Sequence, residues 1–309
     1  MYMRKIFAIG ETLLDIIFKN DQPQAAKPGG AMLNSTVSLG RIGLPVSLVS
    51  EYADDDVGKL IDTFLSENGV GTSFVDHYRE GKTALALAIL NEKNDASYTF
   101  YKNYPDKRLE MGFPDIQKDD IILCGSIYAI TSEIRTKFRY FISGAKRNGG
   151  LVIYDPNFRQ SHASELDRLR PLIIENMQMA SLIRGSDEDF RNIFGAGTPD
   201  EAWEAAGRYC NCLVFTASGE GVYVRTGSYR GTFAVKAIKP VSTIGAGDNF
   251  NAGMIAAIYR NNIKTDDLAA MGEEKWSKVI TSGIDFASVV CMSYDNYISR
   301  EFANNVKQA

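Results

Sequence analysis

The sequence predicts the α/β class with a small additional β layer, and three observations carry that prediction. From Lys5 onward, short apolar strand-like runs alternate with amphipathic helical stretches, the rhythm of helices packed on an open sheet. Between Ser73 and Tyr101 the rhythm breaks, and two β-rich runs follow one another with no helix between them. A glycine-rich segment, Ser242 to Gly253, feeds a late helix in the manner of a ligand-binding turn. With 309 residues, 45% hydrophobic and 23% charged, the chain can bury a large core, as one α/β domain or a domain with an appendage.

Taken in order, Lys5 to Ile9 is a buried-strand run ending at Gly10, and Asp15 follows among apolar neighbours. Lys27-Pro28-Gly29-Gly30 predicts a tight turn. The helix after it has Leu33, Val37 and Gly40 on one side and ends before Pro45. Val46 to Ser50 is a strand. The acidic triplet Asp54 to Asp56 precedes a helix carrying Val57, Leu60, Ile61, Phe64 and Leu65, so it reads as first-turn capping rather than a metal site. That helix stops at Asn68-Gly69. Thr83 to Leu90 and Ser97 to Tyr101 form an antiparallel hairpin joined by Glu92 to Asp95, the best candidate for a lid. Gly81-Lys82-Thr83 has the ending of a P-loop, but Asp76 stands where the earlier glycine is required, and the motif is discarded.

The alternation resumes with a strand at Asp120 to Cys124, a helix at Ser132 to Arg147 and a strand at Leu151 to Tyr154. A helix around Leu166 to Met177 leads to a strand at Ala180 to Ile183. Ser186 to Asp189 opens a helix as a capping box and ends it near Gly195. After a helix at Pro199 to Tyr209 come strands at Leu213 to Thr216, Gly221 to Val224 and Tyr229 to Val235. Helices near Trp276 to Met292 and from Ser299 close the chain.

Net charge is −4, with 34 basic against 38 acidic residues and no long basic run, which counts against a nucleic-acid partner. No apolar stretch reaches membrane-span length and no signal peptide precedes the first strand, so a cytoplasmic protein without a membrane partner is expected. Cys124, Cys210, Cys212 and Cys291 include no C-x-x-C pair and are expected to be reduced and mostly buried. The two histidines, His77 and His162, stand far apart, which excludes a histidine-rich metal site and counts against a Ser-His-Asp triad.

The chemistry concentrates in four places. Gly245, Ala246 and Gly247 let backbone amides approach a ligand, and a helix starting there adds its positive dipole end, which suits phosphate. Asp248 beside them is either a helix N-terminal aspartate or a carboxylate able to take a proton from an attacking hydroxyl. Asp15, past the first strand, is a plain turn residue or a ligand grip; Asn34, one turn inside its helix, is exposed or bonds a polar ligand held against Gly29 and Gly30. Asp155-Pro156-Asn157-Phe158-Arg159 leaves the carboxyl end of a strand, with an Asp155–Arg159 pair as the favoured reading.

Two motifs in this order, Gly29-Gly30-x-x-x-Asn34 and Thr243-x-Gly245-Ala246-Gly247-Asp248, resemble the ribokinase-like sugar kinases, the PfkB family, with similarity from Ile6 to about Ala303. The resemblance implies a single kinase domain over 1–309, with a central, largely parallel sheet between helices. It implies a small β lid, mainly 11–20 and 73–104, that closes over a sugar and pairs two subunits as a homodimer. Asp15, Gly29, Gly30, Asn34, Tyr101, Lys102 and Arg159 would bind the sugar, and Asp248 would be the catalytic base. The amides of Gly245, Ala246 and Gly247 would form an anion hole. Ser186, Thr216, Ser218, Gly219, Gly221, Gly245, Gly247, Ser288 and Asn296 would flank ATP, with Asp189 toward Mg2+. Asp-Pro-Asn-x-Arg is similar to the fructokinase and 2-keto-3-deoxygluconate kinase branches, and a basic Lys102 after an aromatic-rich strand resembles the fructokinases. Arg108 and Arg159 are the candidate partners for an acid sugar.

Three departures stand out. Ser242 replaces the family's Asp at a position associated with monovalent-cation binding, which leaves potassium activation open. Ser186-x-x-Asp189 replaces Asn-x-x-Glu, and Ser218 replaces a turn glycine of the nucleotide loop. A fructose kinase is the expected activity, with a 2-keto-3-deoxygluconate kinase as alternative. A non-catalytic sugar sensor is the reading from another class, and the intact Asp248 and glycine cradle argue against it.

Overall fold

The first strand, β1 (Ile6–Ile9), is apolar and buried throughout, as suits the middle of a parallel sheet covered on both faces. The structure is a computed structural model describing residues 3–92 and 96–308. After β1 come β2 (Leu13–Lys19), β3 (Gln22–Gly29), α1 (Ala31–Arg41), β4 (Val46–Ala53), α2 (Asp56–Glu67) and β5 (Val70–Tyr78). β6 (Lys82–Leu90), β7 (Ala96–Asn103), β8 (Ile121–Gly125), α3 (Arg135–Arg147), β9 (Leu151–Asp155) and α4 (Leu166–Met179) follow. The chain ends with β10 (Leu182–Ser186), α5 (Asp187–Phe194), α6 (Pro199–Ala206), β11 (Cys212–Ala217), β12 (Gly221–Thr226), β13 (Arg230–Phe233), α7 (Ala246–Arg260), α8 (Glu273–Cys291) and α9 (Arg300–Gln308).

Nine strands form one sheet in the order β13-β12-β11-β10-β9-β8-β1-β4-β5, parallel except that β12 pairs antiparallel with both β11 and β13. The order reverses at β1, which pairs β4 on one side and β8 on the other, so a crevice opens above the carboxyl ends of the strands. One face is covered by a core containing Leu33, Val37, Phe250 and Trp276, the other by one containing Phe138, Phe158, Ile173 and Phe190. α7 and α8 approach closely because Gly253 has no side chain; a Cβ there would lie 2.3 Å from the Ser282 carbonyl oxygen. Asp55 caps α2 by accepting from the Gly58 amide, and Ser186 with Asp189 forms both bonds of a capping box on α5, as expected.

A second sheet of four strands, β3-β2-β6-β7, is the lid layer. Its β6–β7 hairpin was expected, as was a contribution from 11–20, where β2 lies; β3 was not. The β2–β3 hairpin turns at Asn20 and Asp21, both at positive φ (52° and 57°), the two-residue turn whose twist matches its strands. The tight turn predicted at Lys27-Pro28-Gly29-Gly30 is therefore corrected: Lys27 to Gly29 end β3, an edge strand that tolerates Pro28, and Gly30 alone turns the chain at φ 124°. The small sheet accordingly takes 13–19, 22–29, 82–90 and 96–103, more than 11–20 at one end. Val70–Tyr78 pairs with β4 in the large sheet, so 73–78 do not belong to the lid layer. Of the expected turn at Glu92 to Asp95, residues 93–95 lie outside the described residues.

Candidate active site

α7 begins at Gly245, which sits in the left-handed region at φ 78° and packs so tightly that a Cβ would lie 2.8 Å from the Asn296 carbonyl oxygen. Buried Asn249 holds that arrangement by donating to the carbonyls of both Gly245 and Asn296, each at 2.8 Å. The Ala246 amide donates to the Thr243 carbonyl at 3.2 Å, so its expected place in the anion hole is corrected. Among the described residues, the N–H groups of Gly245, Gly247 and Asp248 have no acceptor. With the dipole of a 15-residue helix behind them, these three amides can hold an anion.

Asp248 does not cap its own helix. Its Oδ2 accepts from Asn34 Nδ2 at 2.8 Å, and its backbone carbonyl accepts from Ser35 Oγ at 2.7 Å. Asn34 is thus buried rather than exposed, 5% accessible, and its Oδ1 is an unpartnered acceptor. The burial of Asp248 pushes its carboxyl up to about 6, against the opposing hydrogen bond from Asn34. Asp15, within β2, is pushed up to about 7 by burial and then by the charge of Asp248. Gly29 makes room for it, since a Cβ there would lie 2.1 Å from Asp15 Oδ2. Tyr98 of β7 is pushed up to about 12 by burial, then by Asp15, with Arg159 opposing and Asp248 adding to it. Tyr98 and Asp15 line one cleft, and the charges of Asp248 and Arg159 reach it.

That cleft holds about 380 Å³ and is lined by Asp15, Ile17, Tyr98, Ser242, Ile244 and Asn296 among others. A wider groove of about 620 Å³ lies between β3 and α2 and touches neither Asp15 nor the segment before α7, whereas the smaller cleft is lined by Asp15, by Ser242 and Ile244 just ahead of the cradle, and by Asn296 packed on Gly245, so the smaller cleft is the candidate site. The size and mixed lining suit a small polar molecule under a lid.

Several predicted residues lie elsewhere. Tyr101 alternates to the opposite face of β7 from Tyr98 and is 57% exposed. Lys102 donates to Glu11 at 2.9 Å, and neither residue lines the cleft. The expected Asp155–Arg159 pair is replaced: Arg159 Nη1 donates to Glu188 at 3.0 Å, while Asp155 Oδ2 accepts from Arg184 at 2.9 Å and from Asn251 at 2.6 Å. Arg108 is buried against Glu51, to which it donates at 2.6 Å, and stacks on Tyr104, so it is withdrawn from any substrate.

On the other side of the cradle, Asn296 lines the cleft and Thr216, buried, accepts from Arg184 at 2.8 Å. Ser218 and Gly219 sit in an exposed turn, where Ser218 adopts φ 42° in the left-handed region that a glycine would take without strain. Gly221 follows at φ 140°, and Ser288 is half-buried on α8. Asp189 fits poorly as a metal ligand. It is 2% exposed, accepts from the amides of Phe158 (2.5 Å) and Ser186 (2.7 Å) and from the Ser186 hydroxyl (2.7 Å), and burial pushes its carboxyl up. No cluster of metal-binding side chains occurs among the described residues.

Sequence reasoning missed Arg184, Asn251 and Tyr98. Arg184 sits mid-strand between Ile183 and Gly185, where a charged residue in a buried β10 was the available signal. Tyr98 could have been found by alternation from the strand itself.

Comparison with known proteins agrees with this architecture. The chain is 27% identical over 272 residues to a fructokinase of Escherichia coli, covering 85% of this chain and 87% of that one. It is 26% identical over 281 residues to fructokinase-2 of Solanum lycopersicum, covering 87% and 86%. Its fold superposes on a fructokinase from Vibrio cholerae O395 bound to fructose, ADP and calcium ion, with TM-score 0.82, 19% identity and coverage of 98% and 99%. It does so equally on an aminoimidazole riboside kinase from Salmonella enterica bound to aminoimidazole riboside and an ATP analogue, with TM-score 0.82, 21% identity and coverage of 98% and 100%. Residues 3–300 match the model of the pfkB family of carbohydrate kinases, and with the glycine cradle, Asp248 and the four-stranded lid in place, the chain belongs to that family.

Proposed function

We propose that this carbohydrate kinase transfers the γ-phosphoryl group of ATP to a primary hydroxyl of a neutral ketohexose, fructose first. The observation that carries the reading is Asp248, a carboxylate at the start of α7 with free amides beside it and Asn34 fixing its orientation. The hydroxyl oxygen forms the new P–O bond as the bond to ADP breaks; the electron pair leaves with ADP, and the proton passes to Asp248. The free amides of Gly245, Gly247 and Asp248 stabilise charge on the moving group. Asp15 and the Asn34 Oδ1 acceptor supply partners for sugar hydroxyls, and the β2-β3-β6-β7 layer excludes water. Magnesium would arrive with the nucleotide, since buried Asp189 already accepts three hydrogen bonds, one on Oδ1 and two on Oδ2.

Neutral sugar is favoured over a sugar acid because the two candidate cations are engaged, Arg108 in a buried pair with Glu51 and Arg159 with Glu188. Enclosing an unpaired carboxylate beside Asp15 and Asp248 would be costly. A panel of fructose, tagatose, ribose, 2-keto-3-deoxygluconate and aminoimidazole riboside, compared by kcat/KM with ATP, tests this. Fructose should lead; a tenfold preference for the sugar acid or the riboside would overturn the substrate while leaving the kinase.

Two further features belong to the same reading. Ser242 accepts from the Ile244 amide at 3.2 Å and offers a neutral hydroxyl where a carboxylate would attract a cation. Little activation by potassium chloride is therefore expected against a sodium or ionic-strength control, and a many-fold activation would show that other oxygens form a cation site. The outer lid face, with Ile89 44% and Tyr101 57% exposed beside half-buried Ile16, Phe18 and Leu87, is the surface that would pair two subunits. Light scattering should give a dimer that Ile89→Lys separates, and a wild-type monomer would contradict it.

A further inference from the structure

Arg184 lies beneath the cradle and is 7% exposed. Nη1 donates to Asp155 at 2.9 Å and Nη2 to Thr216 at 2.8 Å, which leaves three of its five N–H groups unmatched, the buried Nε–H among them. Its direction is specific. A Cβ built on Gly247 would lie 2.9 Å from Nη1, 3.3 Å from Nη2 and 3.5 Å from Cζ, so the guanidinium meets Gly247 edge-on, with the two-nitrogen fork leading. A fork aimed at the first turn of α7, next to the unmatched amides of Gly247 and Asp248, has the shape that reads two oxygens of one phosphoryl group.

The charge around the cradle makes the same demand. Asp15, Asp155 and Asp248 put three carboxyl groups near the place where a phosphoryl group must sit, and Arg159 is drawn toward exposed Glu188. Arg184 is the buried cation of this cluster, and its bonds to Asp155 and Thr216 leave one N–H on each of Nη1 and Nη2 unmatched. Phe250 lies against it, 5.4 Å from Cζ to the ring centre, keeping the guanidinium in place.

The geometry points to Arg184 as a catalytic residue that donates its fork to the non-bridging oxygens of the transferring phosphoryl group and so completes the anion hole. Asp155, Thr216 and Asn251 are then positioning residues: Asp155 holds one N–H of Nη1, Thr216 one N–H of Nη2, and Asn251 holds Asp155. The inference rests on Asp248 as the base, and it assigns to this chain a cation for the charge that develops as the bond to ADP breaks.

The test uses the full-length enzyme with its best sugar. Arg184→Gln should keep KM for the sugar near wild type while kcat falls roughly 10²–10³-fold, the loss of charged donors in an anion hole. Arg184→Lys keeps a cation for Asp155 but not the fork, and kcat should fall roughly 10–100-fold. With the cation removed, the acid limb of the kcat/KM profile should move to higher pH, because Arg184 helps keep Asp248 ionised. Retention of ADP with aluminium fluoride, a mimic of the moving phosphoryl group, should weaken by a similar factor to kcat. Should Arg184→Gln fail to fold, Arg184→Lys decides alone. A kcat within about threefold of wild type in the folded Lys variant, with ADP–aluminium fluoride retention unchanged, overturns the inference, since a structural arginine lowers thermal stability and not the transfer step. Asp248→Asn run alongside separates the two claims: if it is inactive while Arg184→Lys is normal, only Arg184 loses its role, and if both are normal the Asp248 reading falls with it.

Discussion

Asp248→Asn is expected to fold, to bind sugar and nucleotide, and to turn over roughly 10²–10⁴-fold more slowly than the wild type, the range for loss of a general base. The amide keeps an oxygen to accept from Asn34 Nδ2, so the local hydrogen bond survives while the proton acceptor is gone. Stability should move the other way. Burial raises the carboxyl of Asp248 to about 6 and that of Asp15 to about 7, above the ordinary carboxylate value. The folded state therefore holds these protons more tightly than the unfolded chain. Their stabilising contribution is complete below about pH 4, is lost progressively as pH rises from there, and is gone above about 6 to 7, where the buried groups ionise. Asparagine escapes that cost, so the variant should melt higher than wild type at about pH 8, by less at about pH 5, and show little gain below about pH 4. Activity has the opposite slope: kcat/KM of the wild type should fall as pH drops below about 6, because the base becomes protonated. Steady-state kinetics and melting curves across pH check both limbs. Near wild-type turnover in the variant would reduce Asp248 to a helix-terminal residue.

The second large effect lies outside the cleft. Glu51, 1% exposed near the end of β4, accepts from Arg108 Nε and Nη2, from the Tyr128 hydroxyl and from the Leu109 amide. Glu51→Ala strands a buried guanidinium, a hydroxyl and an amide together. Breaking a buried pair from one side costs about 3–5 kcal/mol, which for a chain of this size lowers Tm by roughly 6–15 °C. Glu51→Gln, which keeps two acceptor directions but not the charge, should lose less. Thermal and denaturant unfolding measure both, and a Glu51→Ala protein as stable as wild type would show that the network relaxes into water.

Together the two variants separate chemistry from architecture, and the same division describes what could be read in the residues. The large sheet was legible because its strands are short apolar runs set between amphipathic helices, as at Ile121–Gly125 and Leu151–Asp155. β3 was hidden because Gln22–Gly29 is polar, contains two prolines and mostly faces solvent, so neither alternation nor β-propensity marks it. The cradle was legible from Gly245 and Gly247, yet which amides stay free depends on a turn bond from Ala246 to Thr243 that no spacing encodes. Ion pairs were least legible of all. Arg159 and Asp155 are neighbours in sequence, but β9 and β10 lie side by side, and parallel pairing brings Arg184 to Asp155 instead.

The most direct measurement of the central claim is ADP release by the purified protein with MgATP, with and without fructose. The account predicts release that depends on fructose, saturates with it, and disappears in Asp248→Asn. Release no faster with any sugar of the panel than without sugar, from a protein that still binds fructose, would make the cleft a sensor and contradict the account.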